Sequence, residues 1–490
     1  MKPIRFGSEE KLDDEGRRFS LEAINYWKND EWEADSSLIL DDWVDIVNKR
    51  CTNQSNDTFI TLWKEHLKEK GKDLRDNFYS SYVKNCNVIG ATCSSIGKIN
   101  SEGKFTRFFQ DYSNVFYPED FERFKSSPSR SSATNLKNKE IEFELAIQDE
   151  ASKASPPELA LPFTFGKKAV IIGDHRQLPP MVDTNEFIES LVYLKDKSKD
   201  DKQVKKIAEL IRFIKQHRES FEHSHFEKLF TNIDTNLKST FDTQYRMHPA
   251  INETIKQFYK GDFENGKDLE CGLPLDSVGD PNLNNPMSRY HGITKKKDTH
   301  VMWFDVQTPE IKKGTSRINP GEVKAIEWII NTITSNENYS TFINHWKDNE
   351  KDQKELGVIT FYGAQAGLIK KNVPEGIDVR VSPVDRFQGM ERNIVIVSLV
   401  RSNNIAESEN EIADFEMYPK NGYAQNESLG FAESPNRLNV ALSRAKRLLI
   451  VVGNSKHFSK KEIYKNVFET IKNHPQGEVW GFDGQKPIKI

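Results

Sequence analysis

Twice within thirty residues, an apolar run feeds directly into acidic residues, and this repeat constrains the fold more than any other feature. Phe143 to Ile147 runs into Asp149-Glu150-Ala151-Ser152, and Ala169 to Ile172 runs into Gly173-Asp174-His175-Arg176-Gln177. Short apolar runs bounded by turn residues read as buried strands. Strands alternating with helical stretches build a parallel sheet with right-handed crossovers. Open sheets of this kind bind ligands at the carboxyl ends of their strands. Both acidic turns are therefore expected at one sheet edge. Two adjacent carboxylates repel each other, and a bound cation relieves that repulsion. Asp149 is placed to hold Mg²⁺, Glu150 to orient or deprotonate an attacking water, and Gln177 to reach a phosphate or that water. Together these residues read as the metal-and-water half of an ATP-hydrolysing site.

The alternation resumes near Ser239. Strands are expected at His300 to Phe304, Gly357 to Phe361, Asp378 to Val381, Ile394 to Val400 and Leu448 to Val452. Helices are expected at Asn319 to Ile330, opened by Pro320, at Gln365 to Lys371 and at Asn436 to Ala445. The class is α/β. Residues 10–80, with helical periodicity at 38–47 and 59–67, read as a helical insertion, and about 184–224 as a second, charged one. Residues 97–140 read as loop, and 461–490 as a helix and a polar tail. The domain reading is an incomplete first α/β unit over about 1–237, a second over 238–460, and the tail.

The second unit carries its own polar strings. Gln244-Tyr245-Arg246-Met247-His248-Pro249 offers an aromatic face to a base and a guanidinium to a phosphate. Asp385-Arg386-Phe387-Gln388-Gly389-Met390-Glu391 precedes a strand. Gly389 lets backbone approach a ligand, and Glu391 can hold a sugar or pair with an arginine. Arg437-Leu438-Asn439-Val440-Ala441-Leu442-Ser443-Arg444-Ala445-Lys446 reads as an amphipathic helix. Its Arg444 is a rigid planar donor suited to charge on a transferring phosphoryl group. Thr92 and Ser94 after one strand, and Ser398 and Arg401 after another, are candidates to contact a nucleic-acid backbone. For each string the bland reading is a capped turn or a basic helix face.

In their order along the chain these strings resemble a superfamily 1 helicase of the Upf-like group (subclass 1B). Gly90-Ala91-Thr92-Cys93 is similar to its first strand-contacting box. Asp149-Glu150-Ala151-Ser152 is similar to the Walker B box, and Gly173-Asp174-His175-Arg176-Gln177-Leu178 to the box coupling the two domains. The resemblance covers about residues 85–455. It implies two RecA-like parallel-sheet domains of the P-loop NTPase type, with ATP and Mg²⁺ as cofactors and single-stranded DNA or RNA as partner. It further implies that Tyr245 stacks on adenine, Arg246 contacts the γ-phosphate, and Gln388, Gly389 and Glu391 line the nucleotide. Arg5-Phe6-Gly7-Ser8 is similar to a short strand the group carries shortly after its phosphate loop.

That phosphate loop, G-x-x-x-x-G-K-[ST], is the departure. Thr92 to Lys98 and Gly261 to Lys267 imitate it. The first starts on threonine and Ile99 follows its lysine. The second carries Asp262 and Glu264, with Asp268 next to it, and offers no hydroxyl for Mg²⁺. The expectation is a C-terminal part of a longer motor, weak or inactive alone, whose N-terminal fragment or subunit carries the loop. Two alternatives remain: a nucleic-acid-binding module without catalysis, and the motor half of a defence or repair complex. Net charge is −4, so only a local groove can carry a nucleic acid. Four cysteines without metal or disulfide spacing suggest a reducing, cytoplasmic setting and burial as small apolar groups. No apolar run approaches the roughly 20 residues that span a bilayer, so no membrane partner is expected.

Overall fold

The computed structural model describes residues 3–5, 87–93, 96–100, 104–180, 201–217, 224–263, 267–272, 292–293, 299–314, 316–335, 355–387, 389–406 and 423–490, with single positions between 188 and 198. The insertion expected at 10–80 lies outside these residues, as do Phe6 to Ser8, Ser94, Gln388, Cys51 and Cys86. No helix among the described residues is long and apolar enough to cross a membrane. The chain divides into two compact units, residues 1–148 with 160–170, and residues 149–159 with 171–490. The expected boundary at 237 differs: Asp149, Glu150 and the loop from Gly173 group with the large unit.

In the small unit β1 (Pro3–Arg5) pairs in parallel with β2 (Val88–Gly90). Residues 104–140, expected as loop, form three helices, α1 (Arg107–Phe116), α2 (Pro118–Ser126) and α3 (Arg130–Lys137). Each is short, so propensity alone does not hold it. A buried aromatic cluster around Phe108, Phe109, Tyr112 and Phe121 does, with Thr106 and Ser129 capping α1 and α3. Next come β3 (Phe143–Gln148), α4 (Pro156–Phe165) and β4 (Gly166–Ile171), and β3 and β4 lie side by side. The expectation of two buried strands is corrected here. Leu145, Ile147 and Val170 are exposed, because among the described residues this sheet is only two strands wide and one face is uncovered.

The large unit is an α/β domain. After α5 (Asp201–Gln216) and α6 (His225–Asn232) come the short pair β5 (Thr243–Gln244) and β6 (Glu270–Cys271), with α7 (Pro249–Ile255) between them. A turn of 3₁₀ helix over Lys256–Tyr259 follows α7. Then come β7 (Val301–Asp305), β8 (Glu310–Lys313), β9 (Ser316–Ile318), α8 (Pro320–Thr334), β10 (Leu356–Thr360), α9 (Gly363–Asn372), β11 (Val379–Pro383), β12 (Arg392–Ser398), β13 (Asn404–Ala406) and β14 (Ala424–Gln425). The chain closes with α10 (Pro435–Leu442), β15 (Ala445–Gly453), α11 (Ser455–Phe458), α12 (Glu462–Asn473), β16 (Gly477–Phe482) and β17 (Pro487–Lys489).

Seven strands form the main sheet in the order β11-β10-β12-β15-β7-β16-β17, all parallel except β17. Strand side chains alternate between faces, and both faces are covered. Val301, Trp303, Val395, Val397, Leu449 and Val451 pack with α7, α10 and α12. Met302, Phe304, Ile394, Ile396, Leu448 and Ile450 pack with α8 and α9. A smaller sheet, β14-β13-β8-β9, stands beside it. The helix expected after 461 is α12, and the polar tail that follows it supplies β16 and β17, which extend the main sheet.

Candidate functional site

The site lies within the large unit, built from four segments far apart in sequence. The first begins where β3 ends. The Asp149 carboxylate accepts the Glu150 N–H at 2.8 Å, and Glu150 sits in the left-handed region at φ 54°. That conformation costs a non-glycine residue roughly 1–3 kcal/mol and persists where the surroundings impose it. Here Ala151 N–H is tied to the Ile172 carbonyl at 2.8 Å, and Ala151 is fully buried. The Glu150 carboxylate is half-exposed and pairs with Lys153 at 3.2 Å.

The second segment is the loop from Gly173. A Cβ there would lie 2.9 Å from Ser152 N and 3.0 Å from the Phe226 ring, so close approach requires the glycine. The Asp174 carboxylate then gathers three donors: Arg176 N–H at 2.9 Å, Gln177 Nε2 at 2.9 Å and the Tyr259 hydroxyl at 2.7 Å. Arg176 is gripped through two nitrogens by Asp262, which raises its pKa. From α10, Asn436 donates to the carbonyls of His175 and Gln177, and Asn439 to that of Arg176 at 2.9 Å. Leu178 is buried in the core that contains α10. Sequence reasoning missed Tyr259, Asp262, Asn436 and Asn439. The two asparagines left a signal, polar amides three apart on an otherwise apolar helix face.

Third is the turn at 244–248. Gln244 Oε1 accepts the N–H groups of Arg246 at 2.8 Å and Met247 at 2.9 Å, and its Nε2 donates to the Met247 carbonyl. Met247 is buried, and His248 caps α7 while stacking on His300 with ring centroids 3.5 Å apart. Burial, then the neighbouring His300 and Arg447, push the His248 pKa down to about 2, so it is a neutral structural ring. Clamped from both ends, the turn presents Tyr245 and Arg246 outward. Tyr245 is 70% exposed, its ring resting against Gly272.

The fourth segment joins the ends of α10 and β12. Glu391 takes Arg246 Nε at 2.5 Å and Lys446 Nζ at 2.7 Å on its two oxygens. Burial alone would raise the Glu391 carboxyl, but the Lys446 ammonium and Arg246 guanidinium outweigh it and hold it below its ordinary value. Gly389, at φ +80°, opens the turn before it. Arg444 is not on the helix as expected. It follows the C-cap Ser443, immediately before β15. Only 3% exposed, it donates to the Val440 carbonyl, to Ser443 Oγ and to Gln177 Oε1 at 3.4 Å. Burial, then the charge of Arg246, lower its pKa to about 10.

Of the expected residues, Gln177, Arg246, Glu391 and Arg444 thus form one cluster. Asp149 and Glu150 stand at the end of β3, and the Glu150 charge is among those that Arg444 feels. Thr92, in the small unit, is exposed. Ser398 and Arg401 are corrected as backbone-contacting groups. Ser398 is fully buried, donating to Glu322 at 2.6 Å and accepting from Gln365. Arg401 is 6% exposed and held by Glu310 at 2.7 Å, the Tyr362 hydroxyl and Asn426. Their hydrogen-bonding capacity is spent inside the protein. No cluster of three or more metal-ligating side chains occurs among the described residues. Cys93 and Cys271 form no disulfide among the described residues, and Cys93, expected as a buried small apolar group, is only partly buried.

Residues 221–456 and 127–185 each match an AAA domain family. The chain is 26% identical over 354 residues to a regulator of nonsense transcripts 1 homolog of Neurospora crassa, covering 68% of this chain and 24% of that one. The chain is similar to the Upf-like helicases of superfamily 1. The ATP-dependent helicase NAM7 of Saccharomyces cerevisiae is 27% identical over 68% of this chain and 27% of its own length. The DNA polymerase alpha-associated DNA helicase A of the same yeast is 28% identical over 64% and 38%. The chain therefore spans about a quarter of the length of the first curated relatives it matches. Residues 127–185 contain Asp149, Glu150 and the loop from Gly173, and residues 221–456 contain the turn at 244–248, Gly272, Glu391 and Asn436 to Lys446.

Proposed function

We propose that this chain is the part of an ATP-dependent helicase or translocase that carries the hydrolytic carboxylates and the charge-stabilising arginines. It would couple ATP turnover to movement on single-stranded DNA or RNA. The observation that carries the reading is the meeting of Gln177 and Arg444, from segments 267 positions apart, beside the Arg246–Glu391 pair. A triphosphate fits these residues. Arg444 is buried, in the field of a second guanidinium, and below its ordinary pKa. A phosphate oxygen offsets both burial and repulsion, whereas a neutral ligand offsets neither. Mg²⁺ bound with few protein carboxylates and several waters suits an exposed Asp149.

When bound, Mg²⁺·ATP supplies the electrophilic phosphorus. Asp149 would hold the cation, and Glu150 would orient and deprotonate water. Gln177 positions that water and senses the phosphate, and Arg246 and Arg444 neutralise developing charge. Tyr245 stacks on the base. None of the 490 residues forms a G-x-x-x-x-G-K-[ST] loop. We expect slow or absent turnover by the chain alone, and a partner segment or subunit that supplies the loop. A reducing intracellular setting suits four cysteines whose positions show no disulfide or metal spacing.

The test joins the chain to a segment carrying the loop and measures ATP turnover with and without single-stranded oligonucleotide. Glu150→Gln or Arg444→Ala is expected to lower kcat about 100-fold or more. Unchanged turnover after either substitution refutes the reading.

A further inference from the structure

Glu391 and Arg444 stand at the amino-terminal ends of β12 and β15. The opposite, carboxyl edge of the same sheet carries a different feature. There Phe431 is 54% exposed, in the 3₁₀ turn Gly430–Glu433 that leads into α10. Exposure alone, shared by Phe163 and Phe241, is ordinary. The supports beneath Phe431 are not.

The Tyr362 hydroxyl, just past β10, accepts Arg401 Nη1 at 3.1 Å and the Phe431 N–H at 3.4 Å. Tyr362 and Arg401 are themselves buried, and Glu310 anchors Arg401. Gly430 has φ +56°, and a Cβ there would lie 2.3 Å from both Arg401 Nη1 and the Tyr362 oxygen, so only glycine fits. The Tyr464 hydroxyl pins the Ala432 carbonyl at 2.7 Å. The Tyr362 ring meets Phe431 at 5.5 Å, tilted 48°. The Arg437 guanidinium lies 5.3 Å from the Phe431 ring centroid, paired with Asp385 at 3.3 Å, and the exposed Arg386 is the next residue. An aromatic ring is thus held rigidly, half open to solvent, beside the Arg437 guanidinium at the carboxyl edge of the sheet.

We propose that Phe431 is a base-stacking platform for single-stranded nucleic acid, with Arg437 and Arg386 supplying positive charge to the adjoining backbone. Stacking on an aromatic face accepts any base, and nearby cations track phosphates. Buried Arg401 serves by holding Tyr362, and through it Phe431. The proposal rests on the single-strand reading above and assigns it a residue.

The test uses the 490-residue chain and short fluorescein-labelled dT and rU oligonucleotides, read by anisotropy. Phe431→Ala is expected to raise Kd about tenfold or more, with the slope of log Kd against log salt unchanged, because no phosphate contact is lost. Phe431→Trp should keep affinity within about threefold, with its indole emission quenched on saturation. If wild type binds and F431A binds equally, the platform is refuted while the single-strand reading stands. Loss of affinity in F431A with an altered salt slope, or an F431W emission indifferent to oligonucleotide, also refutes it. If wild type binds neither polymer, the single-strand reading itself falls and takes the platform with it.

Discussion

The Tyr259 hydroxyl donates to Asp174 Oδ2 at 2.7 Å and accepts from Asn439 Nδ2 at 2.9 Å. Burial, then the Asp174 charge, raise its pKa, so it remains a donor throughout the working range. Asp174 Oδ2 also receives Gln177 Nε2, which leaves Gln177 Oε1 toward Arg444. Asp174, held in place by Tyr259, therefore sets which end of the Gln177 amide faces the arginine. Removing a hydrogen bond to a charged group costs about 1.5–3 kcal/mol. In the loop-joined protein, Tyr259→Phe should lower kcat about tenfold and leave KM for ATP within about twofold. The loss should disappear in a Gln177→Ala background. Additive losses would show that Tyr259 acts on stability instead. In the chain alone, hydrogen exchange should rise over 173–178 and not over β7 or β12.

Glu391 stands between two cations, Arg246 and Lys446, and aims the first. These side chains are a quarter to two-fifths exposed, so the pairs add only about 0–1 kcal/mol to folding. Glu391→Gln should therefore leave Tm almost unmoved. It should lower kcat/KM for ATP about tenfold, because an unaimed guanidinium spends interaction energy on becoming ordered. Arg246→Ala should cost more, and the double variant no more than Arg246→Ala. An E391Q enzyme with wild-type kcat/KM would assign Glu391 a purely structural role.

A Cβ on Gly272 would fall 2.2 Å from Tyr245 Cε1, so Gly272→Ala must move the ring. Gly272 is exposed, and little folding energy is at stake. A displaced stacking face weakens ground state and transition state alike, which raises KM and spares kcat. The expected change is about three- to tenfold in KM for ATP, matched by Tyr245→Ala and absent when G272A is added to Y245A. A drop in kcat at constant KM would place Tyr245 away from the base.

Much of this was legible in the chain. The strands of the large unit are runs such as Ile394–Val397 whose every position is apolar, which only a sheet covered on both faces explains. The carboxylate turns and the 244–249 string were legible because their chemistry lies in adjacent residues. The short helices α1 to α3 were not, since their order comes from aromatic contacts between them and not from local pattern. Nor was the burial of Ser398 and Arg401. A serine or arginine after a strand does not reveal where its partner lies, and Glu322 and Glu310 approach from 76 and 91 positions away. Strands β16 and β17 were hidden because they lie at the sheet's margin, where half-exposed polar residues suffice.

Glu322 gives a pH dependence whose sign can be fixed. It is fully buried, accepting Ser398 Oγ at 2.6 Å and Val400 N–H at 2.8 and 3.0 Å, and it holds Val400 at φ +72°. Burial pushes its pKa up to about 8 from an ordinary 4.5, Glu310 adding to the rise and the Ser398 and Val400 donors opposing it. Between those values the folded chain keeps a proton that the unfolded chain has released. Stability is then full below about 4.5 and falls as pH rises through 8, by at most about 1.4 kcal/mol per pH unit. The depressed His248 contributes the opposite slope, but only below 6.5. Between 6.5 and 8 the Glu322 slope therefore stands clear of it. Urea midpoints should decline across that window and level off above it, and Glu322→Gln, which cannot ionise, should flatten the decline. A wild-type midpoint that is level there, or a Glu322→Gln midpoint that falls as steeply, would mean the carboxylate is already ionised in the folded protein and is stabilised by the Ser398 and Val400 donors.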